Sequence, residues 1–138
     1  AEGLELAELM LTEVPHDLSE AWLRRGAAVY VTLCLNLAQM YFQQRDWDAA
    51  IEHAELVLMA DDDNPKALYW RAMASIQLDT RIGLEQSIAD LARLIEIEPH
   101  NEVAHEHLEY AWELLRTFKQ NGIKSRGLDL GKRVALSM

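Results

Sequence analysis

The sequence predicts an all-α domain built from antiparallel helix pairs, on three observations. Apolar residues recur at helical spacing through most of the 138 residues, glycine and proline are scarce at six and three, and similar helical segments return 34 residues apart. No segment alternates apolar and polar residues as a half-buried strand would.

The elements follow in chain order. Residues 3–13, GLELAELMLTE, place Leu4, Leu6, Ala7 and Leu11 near one face, and Pro15 ends the pattern. Asp17 and Ser19 are candidate N-caps for a long helix whose apolar face runs through Ala21, Leu23, Ala27, Val31, Leu35, Ala38 and Phe42. A second helix is predicted over 47–59, and the polar turn Asp61, Asp62, Asp63 and Asn64 supplies caps for the next. Pro65 suits a first helical position, where its missing N–H is harmless, so 66–78 reads as helix. The stretch DTRIG is predicted as a loop, with helices over 84–97, ended by Pro99, and over 102–119. Six helices with mostly short connections favour antiparallel neighbours.

Charge and composition exclude several functions. The net charge is −10, but residues 121–138 carry Lys124, Arg126, Lys132 and Arg133 against Asp129 alone, which leaves −13 on the first 120. An acidic body of this kind repels nucleic acid and anionic lipid. The last 18 residues, with Asn121-Gly122, Gly127 and Gly131, read as a basic, flexible tail. Charges interrupt every apolar run well before the length of a membrane span, and AEGLELAELM lacks the basic start of a secretion signal. The single cysteine, Cys34, has no disulfide or metal partner in sequence, which suits a reducing cytoplasm or nucleus.

The 34-residue recurrence is the informative feature. Ala38 in LNLAQMYF and Ala72 occupy the same point of successive helices, and WDAAIEHAELVL is echoed more loosely by LEQSIADLARLI. A helix-turn-helix unit of this period is the signature of the tetratricopeptide repeat (TPR). The stretch from Leu35 through Leu78 resembles the second and third repeats of the C-terminal TPR domain of FKBP-type immunophilins and related heat-shock co-chaperones. Leu37, Ala38, Tyr41 and Ala50 match signature positions, Trp47 the aromatic of the interhelical turn, and Pro99 the proline that ends a repeat. The likeness covers roughly 18–120 and departs by three extra residues between Ala72 and Pro99. It implies a helical superhelix with a partial first repeat over 1–15, repeats over 18–60 and 65–98, and a capping helix over 101–120. By the same resemblance, any prolyl isomerase domain would lie upstream of this chain.

The resemblance also implies a groove. In such repeats the first helix of each pair lines a concave surface, here through Asn36 and Trp70. Related co-chaperones hold the acidic tail of heat-shock protein 90-type chaperones in a carboxylate clamp, which takes a lysine and an asparagine from the domain's first helix, an asparagine from its third, and a lysine and an arginine one turn apart from its fifth. Charged donors are needed there to offset the desolvation of two carboxylates. Asn36 matches the third-helix asparagine and Lys66 the fifth-helix lysine, but Trp70 stands in the arginine's place. Tryptophan offers one N–H and an apolar face where arginine offers a charged fork. Arg71 lies about 100° around the helix, towards the repeat packing.

In the repeat frame, Asn36, Gln39 and Gln43 face Lys66, Trp70, Met73 and Gln77, and His107 and Tyr110 continue the surface. Amides, one cation, an aromatic and a methionine suit a peptide with an apolar anchor. The sequence leaves open that Trp70 and Met73 are instead core, covered by the last helix. Trp22 and Trp112, set among apolar neighbours, are expected to pack between helices.

Catalysis finds no constellation. In PHNEVAHEHLEY, His105 and Glu109 share a helical face but His107 points about 200° away from His105, so no metal or cofactor is expected there. The run Asp61–Asp63 lacks the spacing of a calcium loop, and Cys34, between Leu33 and Leu35, reads as an inert thiol. His16 and His53 read as surface residues. The sequence therefore predicts a non-enzymatic module that binds a protein or peptide in its concave groove, with homodimer formation through exposed helix faces as the alternative.

Overall fold

The computed structural model describes residues 20–121, and these form five α-helices. They are α1 (Glu20–Gln43), α2 (Trp47–Ala60), α3 (Pro65–Gln77), α4 (Arg81–Ile97) and α5 (Glu102–Asn121). The expected helix over 3–13, the caps Asp17 and Ser19, His16 and nearly all of the basic tail lie outside the described residues. Each helix packs on the next in the chain, and α1 also touches α3. The outcome is two helix pairs, α1/α2 and α3/α4, followed by α5.

Local chemistry fixes the starts of the helices. Asp46 caps α2 by accepting from the Ala49 N–H, Asn64 caps α3 from Ala67 with Pro65 next to it, and Thr80 caps α4 from Gly83. Asn101 does the same for α5, its Oδ1 accepting from the Ala104 N–H at 3.0 Å. Two turns need left-handed backbone, at Arg45 (φ 62°) and Asp79 (φ 54°), each just past a helix end.

The start of α4 differs from expectation. DTRIG is not a loop beyond Thr80, because Thr80 is the N-cap and Arg81, Ile82 and Gly83 form the first helical turn. Gly83 is required there for a packing reason, since a Cβ on it would lie 2.5 Å from the Ser75 carbonyl oxygen and 2.9 Å from Thr80 Oγ1. The absent side chain lets the first turn of α4 press against the last turns of α3.

Small residues govern the interior. Ala38, Ala50, Ala54, Ala67, Ala72, Ala74, Ala104 and Ala111 are fully buried, so neighbouring backbones approach closely and larger side chains fill the spaces between. Cys34 is buried with Val57 and Ala67 between the two helix pairs. Leu68, Ala72, Leu91, Leu94 and Ala104 join α3 to α4 and α5, and a third cluster holds Met73, Ile76, Leu84, Ala111, Leu114 and Leu115. Met73 thus belongs to the core and not to the groove: at 4% exposure it is sealed by α4 and α5. Trp22 and Trp112 correct another expectation. Both are about half exposed, at 45% and 47%.

Gly83→Ala should destabilise the domain by about 1–3 kcal/mol, the range for an overpacked contact, because the obstructing atom is backbone and cannot rotate away. The helix-propensity gain from alanine, about 1 kcal/mol or less, does not offset this. A urea unfolding midpoint that rises in the variant would refute the close approach as the reason for glycine.

Candidate functional site

One surface of the domain is flanked by α1, α3 and the turn before α5. Between them lies a depression of about 370 Å³ lined by Gln39, Pro65, Lys66, Tyr69, Trp70, Leu94, Glu98 and Asn101. Three residues singled out from sequence, Gln39, Lys66 and Trp70, therefore share one cavity. Asn36 and Gln43 lie on the same face of α1 as Gln39, within about 60° of arc, and all three amides are exposed.

Trp70 is half-buried. Its ring centroid is 5.3 Å from that of Phe42 on α1 and 5.1 Å from that of Tyr69. Phe42 in turn meets Trp47 at 5.1 Å, and Tyr69 meets His107 at 6.3 Å. Five rings thus run in sequence from the α1–α2 turn, over α3, to α5. Of these rings Tyr69 and Trp70 line the cavity, and Trp70 is also part of the contact between helix pairs.

Tyr69 was not predicted. Its position beside Trp70 puts it about 100° around the helix, into the packing set, and only the length of its side chain returns the ring to the cavity. Burial raises the pKa of its phenol. Leu94, Glu98 and Asn101 were also missed, because the sequence frame assigned the groove to the first helix of each pair, whereas the end of α4 closes it. Glu98 accepts from Asn101 Nδ2 at 3.0 Å, which ties the turn before α5.

The remaining candidates divide. His107 is half-buried against Tyr69, and burial lowers its imidazole pKa against the opposing pull of Glu106. Tyr110 packs against the Met73 cluster with its hydroxyl buried and no hydrogen-bond partner among the described residues, so it faces inward. Gln77 is half-buried near the end of α3.

Arg71 is held on the other side of α3. Its Nε and Nη2 donate to the two carboxylate oxygens of Asp90 at 2.9 and 2.8 Å, and Nη1 lies 3.6 Å from Glu55. Asp90 is 3% exposed and also accepts from Gln86 Nε2. A bidentate pair of this kind fixes the guanidinium. Arg71 is thereby unavailable to the groove, where Lys66 lines the cavity and forms no ion pair among the described residues.

Other polar groups have local tasks. Arg93 donates to Asp63 and Glu96, fastening the turn between the helix pairs to α4. His53 Nδ1 lies 2.7 Å from the Ala49 carbonyl oxygen and the ring packs on Tyr41, while His105 Nε2 lies 3.0 Å from the Pro99 carbonyl oxygen. Among the described residues no three histidine, cysteine, aspartate or glutamate side chains converge on a metal-sized point, and no helix is long and apolar enough to cross a membrane.

No protein-family model matches the chain. Among solved structures it superposes on the C-terminal TPR-containing domain of a putative FK506-binding protein from Plasmodium falciparum, with a TM-score of 0.71, 25% identity, and coverage of 86% of this chain and 79% of that one. The chain folds as a tetratricopeptide-repeat domain. It is also similar to mouse sperm-associated antigen 1, at 30% identity over 101 residues, and to outer envelope protein 61 of Arabidopsis thaliana, at 31% over 114. The matches cover 73% and 82% of this TPR domain but only 10% and 20% of those two proteins. TPR domains are protein–protein interaction modules.

Two outcomes test this geometry. Trp70→Ala should cost about 2 kcal/mol of unfolding free energy, less than the 3–5 of a fully buried aromatic but more than a surface change, since it deletes two ring contacts. His107 binds a proton less readily folded than unfolded, so the stability it contributes is complete above the ordinary imidazole value of 6.5 and is lost as pH falls below it through the lowered folded value. The slope of unfolding free energy against pH in that window should flatten in His107→Gln; an unchanged slope would show that the imidazole is not responsible.

Proposed function

We propose that this TPR domain is a co-chaperone-like module that takes an extended peptide in the groove bounded by α1, α3 and α5. The groove contacts are Asn36, Gln39, Gln43 and Lys66 as polar groups, with Trp70, Tyr69 and His107 as the apolar floor. The supporting observation is the shared cavity of Gln39, Lys66, Tyr69 and Trp70. In this reading residues 18–60 and 65–98 act as repeats, 101–120 as a cap, and the setting is cytoplasmic, as part of a longer protein of immunophilin type. The heat-shock chaperone tail is a weak ligand in this reading, because the clamp needs an arginine at Trp70 and Arg71 is committed to Asp90.

Calorimetric titration with a peptide ending in Glu-Glu-Val-Asp tests it. Weak binding is expected for the native chain, with about a tenfold gain or more in Trp70→Arg, the worth of one charge-assisted contact, and loss of that gain in the double variant with Lys66→Ala. Unchanged affinity in Trp70→Arg would remove the groove as the binding surface.

A second reading rests on the first turns of α1, where Trp22, Leu23 and Val29 are each more than 40% exposed. An apolar face of this kind can pair copies of the chain. Light scattering decides: a mass that stays monomeric up to high micromolar concentration excludes self-association, and a mass that rises with concentration and falls back in Trp22→Glu supports it.

A further inference from the structure

A second depression lies on the Arg71 side of α3. Its volume is about 520 Å³, and it is bounded by α2, the turn that follows α2, and Arg71. Leu56, Leu58 and Met59 supply its apolar surface, and Glu52, Glu55 and Asp62 its carboxylates. Glu52, Glu55, Leu56 and Met59 recur at i, i+3, i+4 and i+7, so one face of α2 carries both kinds of group.

Much of this surface is unused by the fold. Met59 is 84% exposed, and the side chains of Glu52 and Asp62 make no hydrogen bond or ion pair among the described residues. Neighbouring carboxylates are engaged, Asp63 and Glu96 by Arg93 and Asp90 by Arg71. Arg71 at the edge of the depression is thus already neutralised by a buried group, which leaves the lining carboxylates in excess. A single exposed methionine is ordinary. One that borders two half-buried leucines among unpaired carboxylates calls for a particular counterpart, an apolar side chain flanked by cations.

The chain itself contains such a segment. Residues 122–138, which follow α5, carry Lys124, Arg126, Lys132 and Arg133 against Asp129, opposite in sign to the acidic body. Within them Lys132, Arg133, Val134, Ala135 and Leu136 set two cations beside two larger apolar residues, and in extended chain Val134 and Leu136 point to the same side. Lys132 is eleven residues beyond Asn121, a reach of about 36 Å, comparable with the width of about 33 Å expected of a globule of this size.

We infer that residues 132–136 dock in this depression of the same chain, with Lys132 and Arg133 on Glu52 and Asp62 and with Val134 and Leu136 against Met59, Leu56 and Leu58. Tethering favours the chain's own segment over another molecule's, because a short linker sets an effective concentration of roughly millimolar. A contact too weak to hold two molecules together is then sufficient. The charge pairs are exposed, so the docking weakens as salt screens them.

Limited digestion of the full chain by trypsin, followed by mass spectrometry, tests this, since trypsin cuts after Lys132 and Arg133 only when they are free. Cleavage tracks the undocked fraction, so a segment docked about nine-tenths of the time is cut about tenfold more slowly. Expected is cleavage at Lys132 and Arg133 at least about fivefold slower in the native chain than in Glu52→Gln/Asp62→Asn, with a difference that is independent of protein concentration and lost at high salt. Met59→Ser should lose the protection too, with no change of charge. All three positions are exposed, so the variants keep the fold. Equal rates in the native chain and the carboxylate variant overturn the docking. Protection that survives in Met59→Ser reduces the contact to diffuse attraction and overturns the apolar seat. Protection that grows with protein concentration makes the occupant a second copy and overturns the intramolecular contact.

Discussion

Close approach of helix backbones is the constraint on which the domain depends. Eight alanines at zero exposure mark the contacts between α1 and α2, between the pairs, and between α4 and α5. Gly83 shows how close this approach becomes, because beside the Ser75 carbonyl even a methyl does not fit. Dense contacts of small residues make each pair rigid, and the large side chains are then pushed to the edges of the contacts. Those edges are where Phe42, Tyr69 and Trp70 assemble the floor of the groove.

The ion pair of Arg71 with Asp90 has a comparable influence on what the groove can bind. One residue of helical phase turns Arg71 about 100° from Trp70, and the buried carboxylate on α4 holds it there. A guanidinium held by two hydrogen bonds to a group that is 3% exposed cannot rotate to the other face without leaving that charge unpaired. The groove thereby keeps an indole where an acidic ligand would call for a cation. Its character follows as much from the packing on its reverse side as from the residues that line it.

The fold was legible because repeats encode it twice. The 34-residue recurrence and the Pro65 and Pro99 signals located the helix pairs, and the caps at Asp46 and Asn64 act through ordinary local chemistry. The start of α4 was not legible, since Gly83 resembles a turn residue unless the Ser75 carbonyl above it is known. The site was read less completely. Helical phase placed Gln39, Lys66 and Trp70 towards one cavity, but phase alone gives a direction and not the depth of the neighbour, so Met73 was assigned to a groove that α4 and α5 in fact cover. The same ambiguity, reversed, affected Trp22 and Trp112, where an apolar residue in an apolar context is left about half exposed. Tyr69 required knowledge of side-chain reach.

The chain of rings from Trp47 to His107 joins α2 to α1, α1 to α3 and α3 to α5. Rings in edge and tilted contact can slide and tilt by small amounts at little energetic expense, unlike the interlocked alanine contacts behind them. Trp70 belongs both to the cavity lining and to the contact between the two helix pairs, so the cavity and that contact share one side chain.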